Sequence, residues 1–262
     1  DTIVPGPAPA PQLDALTPTT DLVTLGIGGN DYGLFGSMIS KCEELRAQDP
    51  EGAPCKEYYT VDGEDTKKRD ARRIEERVAE VVREIAERSP AADVFVLGYP
   101  RLLPTRGTCA EVPFAAGDYR WGDQVERTLN RSIRDAAEDN GATFIDLYPA
   151  SRGHDACAAE DAWINGSEVK PLEAANFHPY LKGMRGVSRE HLRIDIHEVL
   201  TNKPQTGAYR ALSVPHSPEP SRDAMKRVCH AWDIATPAGV TVLEGSLAGE
   251  VPVALVAVTV KV

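Results

Sequence analysis

A glycine-rich turn that ends in an amide and a carboxylate lies near the start of the chain. The stretch GIGGNDYG follows the apolar run DLVTL, which has the composition of a buried strand. Asn30, in a loop at the end of such a strand, can present its side-chain N–H to a pocket. An N–H in that place stabilises the negative oxygen that develops when a nucleophile attacks a carbonyl group. The stretch therefore indicates acyl-transfer chemistry, and Asp31 is predicted to hold the loop through hydrogen bonds to nearby backbone amides.

Two other interpretations of the turn compete with this one. A dinucleotide-binding loop requires Gly-x-Gly-x-x-Gly; Gly26 and Gly28 fit the pattern, but the third position is Asp31. The sequence also has no Gly-Lys-Ser or Gly-Lys-Thr for a phosphate-binding loop. A nucleotide site is therefore disfavoured, whereas a tight turn with a purely structural role stays open.

Acyl transfer also needs a general base, and His178 is the best placed of the six histidines. It stands in NFHPYLKGM directly before a proline, a residue that is common at the start of a helix. Its ring is therefore predicted to lie on a loop at the carboxyl edge of the sheet. His191 and His197 lie six residues apart, a spacing that does not bring two metal ligands together on a helix. The remaining histidines are His154, His216 and His230.

Strand-like and helix-like patterns alternate along most of the chain. Apolar runs predict strands at DLVTLGIG, ADVFVLGYP and ATFIDLYP, and helical spacing predicts helices at 65–90, 121–141 and 179–200. This order is typical of an α/β fold with three layers, in which a central parallel sheet lies between helices. Ligands bind such sheets beyond the carboxyl ends of the strands, so the loops after Gly26, Gly98 and Tyr148 are the predicted site.

Charge and composition exclude some classes of partner. The formal net charge is -11, which disfavours nucleic acid as a partner, and no apolar run is long enough to span a membrane. The stretch DTIVPGPAPAPQLD has neither a basic start nor an apolar core, so it is not a signal peptide. Residues 202–262 differ in composition from the rest and are predicted to be a Pro- and Ser-rich linker followed by a strand-like tail.

The five cysteines leave their redox state open. No Cys-x-x-Cys occurs, which argues against a zinc ribbon or a thioredoxin-type site. Cys42 and Cys55 flank a loop with two prolines and a glycine, the kind of excursion that a disulfide closes. Two bridges with one odd thiol would fit an oxidising compartment, and five free thiols are the alternative.

Several blocks of the sequence resemble one known family. GIGGNDYG resembles the Gly-x-Asn-Asp block of the SGNH (GDSL-type) hydrolases, and FHPYLKGM resembles their His-Pro-x-x-x-Gly block. VFVLGYPRLLP, CAAEDAWINGSE and the pair Cys109 and Cys157 are similar to the secreted actinobacterial esterases and lipases of this family. The resemblance covers Pro11 to Leu200, with the blocks in the family's order. It implies an SGNH-hydrolase-like domain over residues 1–201.

The resemblance also implies roles for individual residues. Asn30 and Gly28 correspond to the oxyanion hole, and His178 corresponds to the general base of a Ser-His mechanism. Many members have an aspartate three residues before the histidine, where this sequence has Ala175. Some secreted members orient the ring with a backbone carbonyl instead, which Ala175 or Asn176 would supply.

Further expectations concern the chain's chemistry and location. The family's disulfides would join Cys42 to Cys55 and Cys109 to Cys157. The resemblance implies an acyl ester or lipid substrate, no cofactor, no metal and an extracellular location, and it leaves the oligomeric state open. The sequon Asn165-Gly166-Ser167 is given no role.

The sequence departs from the family at the nucleophile. The family's serine stands in a Gly-Asp-Ser block on the first strand, and the sequence contains no Gly-Asp-Ser. The second block, whose glycine donates a backbone N–H to the oxyanion, is also absent. Ser37 and Ser40 occupy helical positions, and Ser213 lacks the neighbouring Gly and Asp, so none is predicted to replace the nucleophile. We expect the first strands of the family's sheet to be missing and the chain alone to lack esterase activity.

Two hypotheses follow from this departure. The chain is either a fragment of a serine esterase or a non-catalytic SGNH-like binding or interaction module. The DNA upstream of Asp1 distinguishes them, because an in-frame Gly-Asp-Ser strand supports only the first. A metal-dependent hydrolase has nothing beyond scattered Asp and His residues to support it.

Overall fold

Strands and helices alternate in the computed structural model, which describes residues 11–194, 240–247 and 250–259, with side chains for residues 11–190. In chain order the elements are β1 (Thr20–Gly26), α1 (Leu34–Leu45), α2 (Pro54–Tyr58), β2 (Thr60–Val61), β3 (Glu64–Asp65), α3 (Thr66–Arg88), β4 (Asp93–Leu97), α4 (Ala116–Glu138), β5 (Thr143–Ile145), α5 (Leu147–Ala150), α6 (Leu181–Ile194), β6 (Val240–Leu247) and β7 (Glu250–Thr259). Among these elements, no helix is both long and apolar enough to cross a membrane.

Five strands form one sheet in the order β5-β4-β1-β7-β6. β1 pairs in parallel with β4 on one side and with β7 on the other, and β5 pairs in parallel with β4. β6 is antiparallel to β7 at the edge of the sheet. β2 and β3 form a separate antiparallel pair. The carboxyl ends of β1, β4 and β5 therefore lie along one edge, where the sequence predicts the site.

Apolar side chains alternate between the two faces of β1, β4 and β5, and both faces of these strands are covered. Val23, Leu25 and Val96 belong to an apolar cluster that includes buried residues of α1, α3 and α4. Phe95 and Leu97 point to the other face, where they cluster with residues of β5, α5 and α6. This arrangement confirms the predicted three-layer α/β/α fold with a central parallel sheet.

The two long helices pack against each other on the first face. α3 begins where the carboxylate of Asp65 accepts a hydrogen bond from the Lys68 N–H at 3.0 Å, an N-cap interaction. Its buried apolar residues are Ala71, Ile74, Val78, Ala79, Val82 and Ile85. The predicted helix at 65–90 is thus confirmed to within a residue or two at each end.

α4 begins at Ala116, five residues before the start that the apolar pattern predicts. The extra turn depends on a distant loop: the N–H groups of Ala116 and Gly117 donate to the carbonyls of Pro50 and Gly52, both at 2.8 Å. These partners satisfy N–H groups that have no acceptor within the helix itself. A helical pattern in the sequence does not contain this information.

β5 is shorter than the predicted strand ATFIDLYP. It ends at Ile145, because Asp146 caps the short helix α5 and accepts a hydrogen bond from the Tyr148 N–H at 3.2 Å. The predicted helix after Pro179 begins at Leu181, and its continuation beyond Ile194 lies outside the described residues.

The predicted tail contributes strands to the main sheet. β6 and β7 lie within 202–262, and β7 pairs with β1 from Thr20↔Ala254 to Gly26↔Thr259. The predicted linker, Ser213 and Cys229 lie outside the described residues. The boundary at residue 201 therefore stays a prediction.

Candidate functional site

The loop that carries Asn30 is a tight succession of turns after β1. The N–H of Asp31 donates to the carbonyl of Gly28 at 3.1 Å, and the N–H of Gly33 donates to the carbonyl of Asn30 at 2.9 Å. A third bond, from Phe35 N–H to the Gly29 carbonyl at 3.1 Å, leads into α1. Three backbone hydrogen bonds therefore shape this loop.

Two glycines are needed for the loop to lie against its neighbours. Gly28 has a φ of +108°, and a Cβ there would lie 2.9 Å from Cγ2 of Ile74 on α3. A Cβ at Gly29 would lie 2.7 Å from the hydroxyl of Tyr99. A larger residue at either position would push the loop away from α3 or from the β4 side of the sheet.

The side chain of Asn30 is exposed and makes no capping hydrogen bond to the turn that follows it. Within residues 11–190, no described group forms a hydrogen bond with its amide. The amide is therefore free to donate to a ligand, as the oxyanion hypothesis requires.

Asp31 does not hold the loop in the predicted way. Its carboxylate lies 3.3 Å from Nε of Arg77 on α3, in place of the expected backbone amides. Arg73 and Arg77 also lie over the ring of Tyr32, with guanidinium carbons 4.3 Å and 5.3 Å from the ring centroid. The prediction for Asp31 was wrong because the donor that pairs with its carboxylate is a side chain on a distant helix.

Tyr99 connects the Asn30 loop to the loop after β4. Its hydroxyl accepts a hydrogen bond from the Gly29 N–H at 2.8 Å, and burial raises the pKa of the phenol to about 12. Asn130 fixes Tyr99 from the other side, since its side chain accepts from the Tyr99 N–H at 2.7 Å and donates to the Tyr99 carbonyl at 3.0 Å. The sequence predicts a site at this loop but gives no signal for the tyrosine.

The loop of His178 has the carbonyl contact that the sequence analysis left open. Nδ1 of His178 lies 2.7 Å from the carbonyl oxygen of Asn176. The carbonyl of Ala175 instead accepts hydrogen bonds from the His178 N–H at 3.2 Å and from the Asn165 side chain at 3.0 Å. Of the two candidates, Asn176 therefore faces the ring and Ala175 does not.

A single segment, residues 98–115, links the two loops. At one end Tyr99 contacts the Asn30 loop, and near the other end the carbonyl of Glu111 accepts a hydrogen bond from the Ser167 N–H at 2.8 Å. The neighbouring Gly166 carbonyl accepts from the Phe177 N–H at 3.0 Å, directly before His178. In the described residues, Asn30 and His178 are connected through this segment and not by a direct hydrogen bond.

The same segment is held by a buried carboxyl group. Oε2 of Glu126 accepts a hydrogen bond from the Leu102 N–H at 3.1 Å, and Oε1 has no partner within the described part of the chain. Complete burial raises the pKa of Glu126 well above its usual range. Arg101 beside it donates to the Tyr148 carbonyl at 2.9 Å. No pattern in the sequence indicated this group.

Two disulfides are present, with the pairing that the resemblance implies. Cys42 is bonded to Cys55, and Cys109 is bonded to Cys157. The first joins α1 to α2, and the second ties residues 98–115 to the segment that precedes the histidine loop. The side chain of Asp118 on α4 accepts from the Cys55 N–H at 3.0 Å and so fixes the first loop further.

Ser37 has a partner but not the geometry of a nucleophile. Its hydroxyl donates to the Gly33 carbonyl at 2.6 Å and accepts from Nζ of Lys67 at 2.6 Å. Lys67 therefore lies at a lone pair of the hydroxyl and not at its proton, which is directed to a backbone carbonyl. The contact anchors α1 to α3. Ser40 is exposed on α1.

Other candidate groups do not form a second site. His154 stacks on Trp163 with ring centroids 4.6 Å apart, and its Nδ1 lies 2.7 Å from the Asp161 carbonyl. Among the described residues, no group of three or more His, Cys, Asp or Glu residues could hold a metal ion. The side chain of His191, together with His197, His216 and His230, lies outside the described residues.

Comparisons with known proteins agree with this fold and these blocks. Residues 3–185 match the model of the GDSL-like Lipase/Acylhydrolase family. The chain is 36% identical over 198 residues to Lipase 2 of Streptomyces coelicolor, and the match covers 71% of this chain and 63% of that protein. It is 31% identical over 220 residues to an esterase of Streptomyces scabiei, with 72% and 63% covered. The chain thus spans less than two thirds of these relatives.

Among solved structures, a phospholipase A1 from Streptomyces albidoflavus is similar with a TM-score of 0.58 and 28% sequence identity. The superposition covers 70% of this chain and 72% of that structure. Because the family model matches more than half of the sequence, the chain belongs to the GDSL-like lipase/acylhydrolase family.

Proposed function

We propose that the chain carries two of the functional groups of a carboxylic-ester hydrolase that acts on acyl esters or lipids. The observation that carries this proposal is the contact between Nδ1 of His178 and the Asn176 carbonyl, because it prepares the imidazole as a base. Family membership and relatives that are named lipase, esterase and phospholipase A1 support an ester or lipid substrate.

His178 is the proposed general base. A carbonyl oxygen only accepts hydrogen bonds, so Nδ1 must carry the proton and Nε2 keeps its lone pair. Nε2 would take the proton of a serine hydroxyl as the oxygen attacks the ester carbonyl. The resulting imidazolium would then give that proton to the departing alcohol, and the same steps with water would release the acid from the acyl-serine.

Asn30 is the proposed oxyanion donor. Its free amide would donate to the carbonyl oxygen as that oxygen becomes negative in the tetrahedral intermediate. Gly28 would contribute by keeping the turn close to α3, so that the donor is held before the reaction begins. The mechanism needs no cofactor and no metal ion.

The proposal assigns the nucleophile's role to no serine of this sequence, which lacks the Gly-Asp-Ser block. The same lack favours a second candidate function, a non-catalytic binding or interaction module. The two disulfides support an extracellular location for either function.

The test uses hydrolysis of p-nitrophenyl acetate and butyrate. The 262-residue chain and its His178→Ala variant are assayed first, and we expect equal rates, since the sequence has no Gly-Asp-Ser serine to act as the nucleophile. His178-dependent turnover would contradict this expectation, and a fluorophosphonate label would then locate the serine.

The coding DNA upstream of Asp1 is then sequenced, and the complete reading frame is expressed. We expect an in-frame Gly-Asp-Ser, ester hydrolysis, and a loss of turnover in His178→Ala on the order of 10⁴-fold or more. A complete reading frame that encodes no Gly-Asp-Ser serine would overturn the proposal. Ester hydrolysis that continues in the His178→Ala variant of the complete protein would also overturn it.

A further inference from the structure

The side chain of Asn165 lies at the centre of the histidine loop. It is only 1% exposed, and all of its polar atoms are engaged. Nδ2 lies within hydrogen-bond distance of the carbonyls of Glu168 at 2.6 Å, Ala175 at 3.0 Å and Ala174 at 3.3 Å. Oδ1 accepts from the Gly166 N–H at 2.9 Å.

Asn165 also holds the chain on the far side of His178. The hydroxyl of Tyr180, two residues after the histidine, donates to Oδ1 of Asn165 at 2.7 Å. The Asn165 N–H itself donates to the His178 carbonyl at 2.9 Å, next to an isolated bridge between Ile164 and Pro179. One residue therefore contacts the loop before, at and after the histidine.

These contacts decide which carbonyl is available to the ring. Asn165 occupies the Ala175 carbonyl, which also accepts from the His178 N–H at 3.2 Å. The next carbonyl along the chain, that of Asn176, is the one that meets Nδ1. Phe177, between Asn176 and His178 in the sequence, has a φ of 54°. This conformation costs free energy and needs support from its surroundings.

We propose that Asn165 is a positioning residue for His178: its side chain fixes the turn from Ala175 to Tyr180 and thereby holds the imidazole in the tautomer with a proton on Nδ1. The inference rests on the proposed function, in which Nε2 must be the free base. Loss of the Asn165 donors releases the Ala175 carbonyl, and the Asn176 carbonyl then no longer has a fixed place beside the ring.

The inference also gives a role to the sequon Asn165-Gly166-Ser167, to which the sequence analysis gave none. The amide nitrogen of Asn165 is buried, and its protons are directed to backbone carbonyls. In the folded protein it is therefore not accessible for glycosylation. The asparagine serves the geometry of the loop instead.

The test is a measurement of the His178 tautomer by ¹H–¹⁵N NMR of the imidazole side chains in the 262-residue chain. His178→Gln identifies the His178 signals. We expect the neutral wild-type ring to carry its proton on Nδ1. In Asn165→Asp, which replaces the donor by an oxygen facing three carbonyl oxygens, we expect the Nε2–H tautomer to become the major form.

His154 is an internal control, because its Nδ1 has the same 2.7 Å contact to a backbone carbonyl and does not touch Asn165. Its tautomer should stay unchanged in the variant. The proposal would be contradicted if the His178 tautomer does not change in the variant. An equal change in both histidines would also contradict it, because that result indicates a loss of structure that is not specific to the His178 loop.

Tyr180→Phe removes one hydroxyl and keeps the test decisive if Asn165→Asp does not fold. We expect a partial shift of His178 toward the Nε2–H tautomer, and no shift would contradict the proposal. The tautomer is measured without substrate. A wild-type ring with its proton on Nδ1 and no change in the variants would count against Asn165 alone, whereas a failure of the ester assay concerns the assignment of His178 as the base.

Discussion

The loops of Asn30 and His178 are held in place by different means. Turns within the backbone and two glycines shape the Asn30 loop, and the Asn30 side chain makes no capping hydrogen bond to the turn that follows it. The His178 loop depends on a side chain, Asn165, that binds carbonyls on several sides of the histidine. The turns of the first loop are local in sequence, and one further bond reaches it from Tyr99, 70 positions from Gly29. The second loop brings together residues that are 10 to 15 positions apart.

This difference explains why one loop was easier to predict than the other. Glycine spacing and the Asn-Asp pair indicate a turn directly, because the interactions that form it lie within a few residues. A buried asparagine leaves no such pattern, since its partners are backbone carbonyls, which every residue has. The following predictions test the two loops and the segment between them.

The largest effect on stability is expected for the Cys109–Cys157 disulfide, which ties residues 98–115 to the segment before the His178 loop. The Cys109–Cys157 bond closes a loop with a sequence separation of 48, against 13 for Cys42–Cys55. In the chain-entropy model these loops correspond to about 4 and about 3 kcal/mol. We expect Cys109→Ser/Cys157→Ser to lose more unfolding free energy in urea than Cys42→Ser/Cys55→Ser. The reverse order would contradict the view that the Cys109–Cys157 bond stabilises the fold more than the Cys42–Cys55 bond does.

In the Asn30 loop, Gly28→Ala tests the turn before Asn30. Its φ of +108° and the contact with Ile74 predict a loss of about 1–3 kcal/mol of unfolding free energy. Gly36→Ala is the matched control, because it lies in α1 with nothing within 4 Å of the added Cβ. We expect the control to gain about 0.5–1 kcal/mol. Equal effects in urea denaturation would show that the turn does not require glycine.

Tyr99→Phe tests the link between the Asn30 loop and residues 98–115. Removal of the hydroxyl leaves the buried Gly29 N–H without its acceptor, which costs about 1–2 kcal/mol. Tyr58→Phe, on an exposed ring, should change stability by less than about 0.5 kcal/mol. A Tyr99→Phe variant as stable as Tyr58→Phe in thermal and urea unfolding would mean that this hydrogen bond does not hold the loop.

The last prediction concerns Glu126 and depends on pH. Burial raises its pKa in the folded state above the usual 4.5, so the folded protein keeps a proton that the unfolded chain loses. Stability from this group is complete below pH 4.5 and declines as pH rises toward the folded-state pKa. Glu126→Gln removes the titration. We expect wild type to lose stability relative to this variant as the pH rises from 5 to 8.

Urea unfolding at several pH values measures this difference. Glu126→Ala is a second comparison, because it also removes the acceptor of the Leu102 N–H and should be less stable than Glu126→Gln at every pH. A wild type and a Glu126→Gln variant with parallel pH profiles would show that Glu126 does not carry the proton in the folded state.

Much of the fold could be predicted from the sequence. The order of strands and helices, the buried stripe of α3 and the strand before Asn30 follow from apolar periodicity, which depends on near neighbours. The early start of α4 at Ala116 and the short β5 were not predicted, because they depend on hydrogen bonds to Pro50 and Gly52 and on the cap at Asp146.

The candidate site was predicted in part for the same physical reason. Asn30, Gly28 and His178 stand in recognisable blocks, and the carbonyl partner was limited to Ala175 or Asn176. The roles of Tyr99 and Asn165 and the pairing of Asp31 with Arg77 depend on contacts across tens of residues or between a side chain and the backbone. Such contacts have no spacing rule that a single sequence could reveal.

The most direct test of the central claim is a double-mutant cycle of Asn30→Ala and His178→Ala in the protein from the complete reading frame. Turnover of p-nitrophenyl butyrate is the measurement. We expect Asn30→Ala to lower kcat by about 100–1,000-fold and His178→Ala by more. We also expect the double variant to lose much less than the product of the two losses, because both groups act in one transition state. Independent, multiplying losses, or an Asn30→Ala variant with unchanged kcat, would contradict the account.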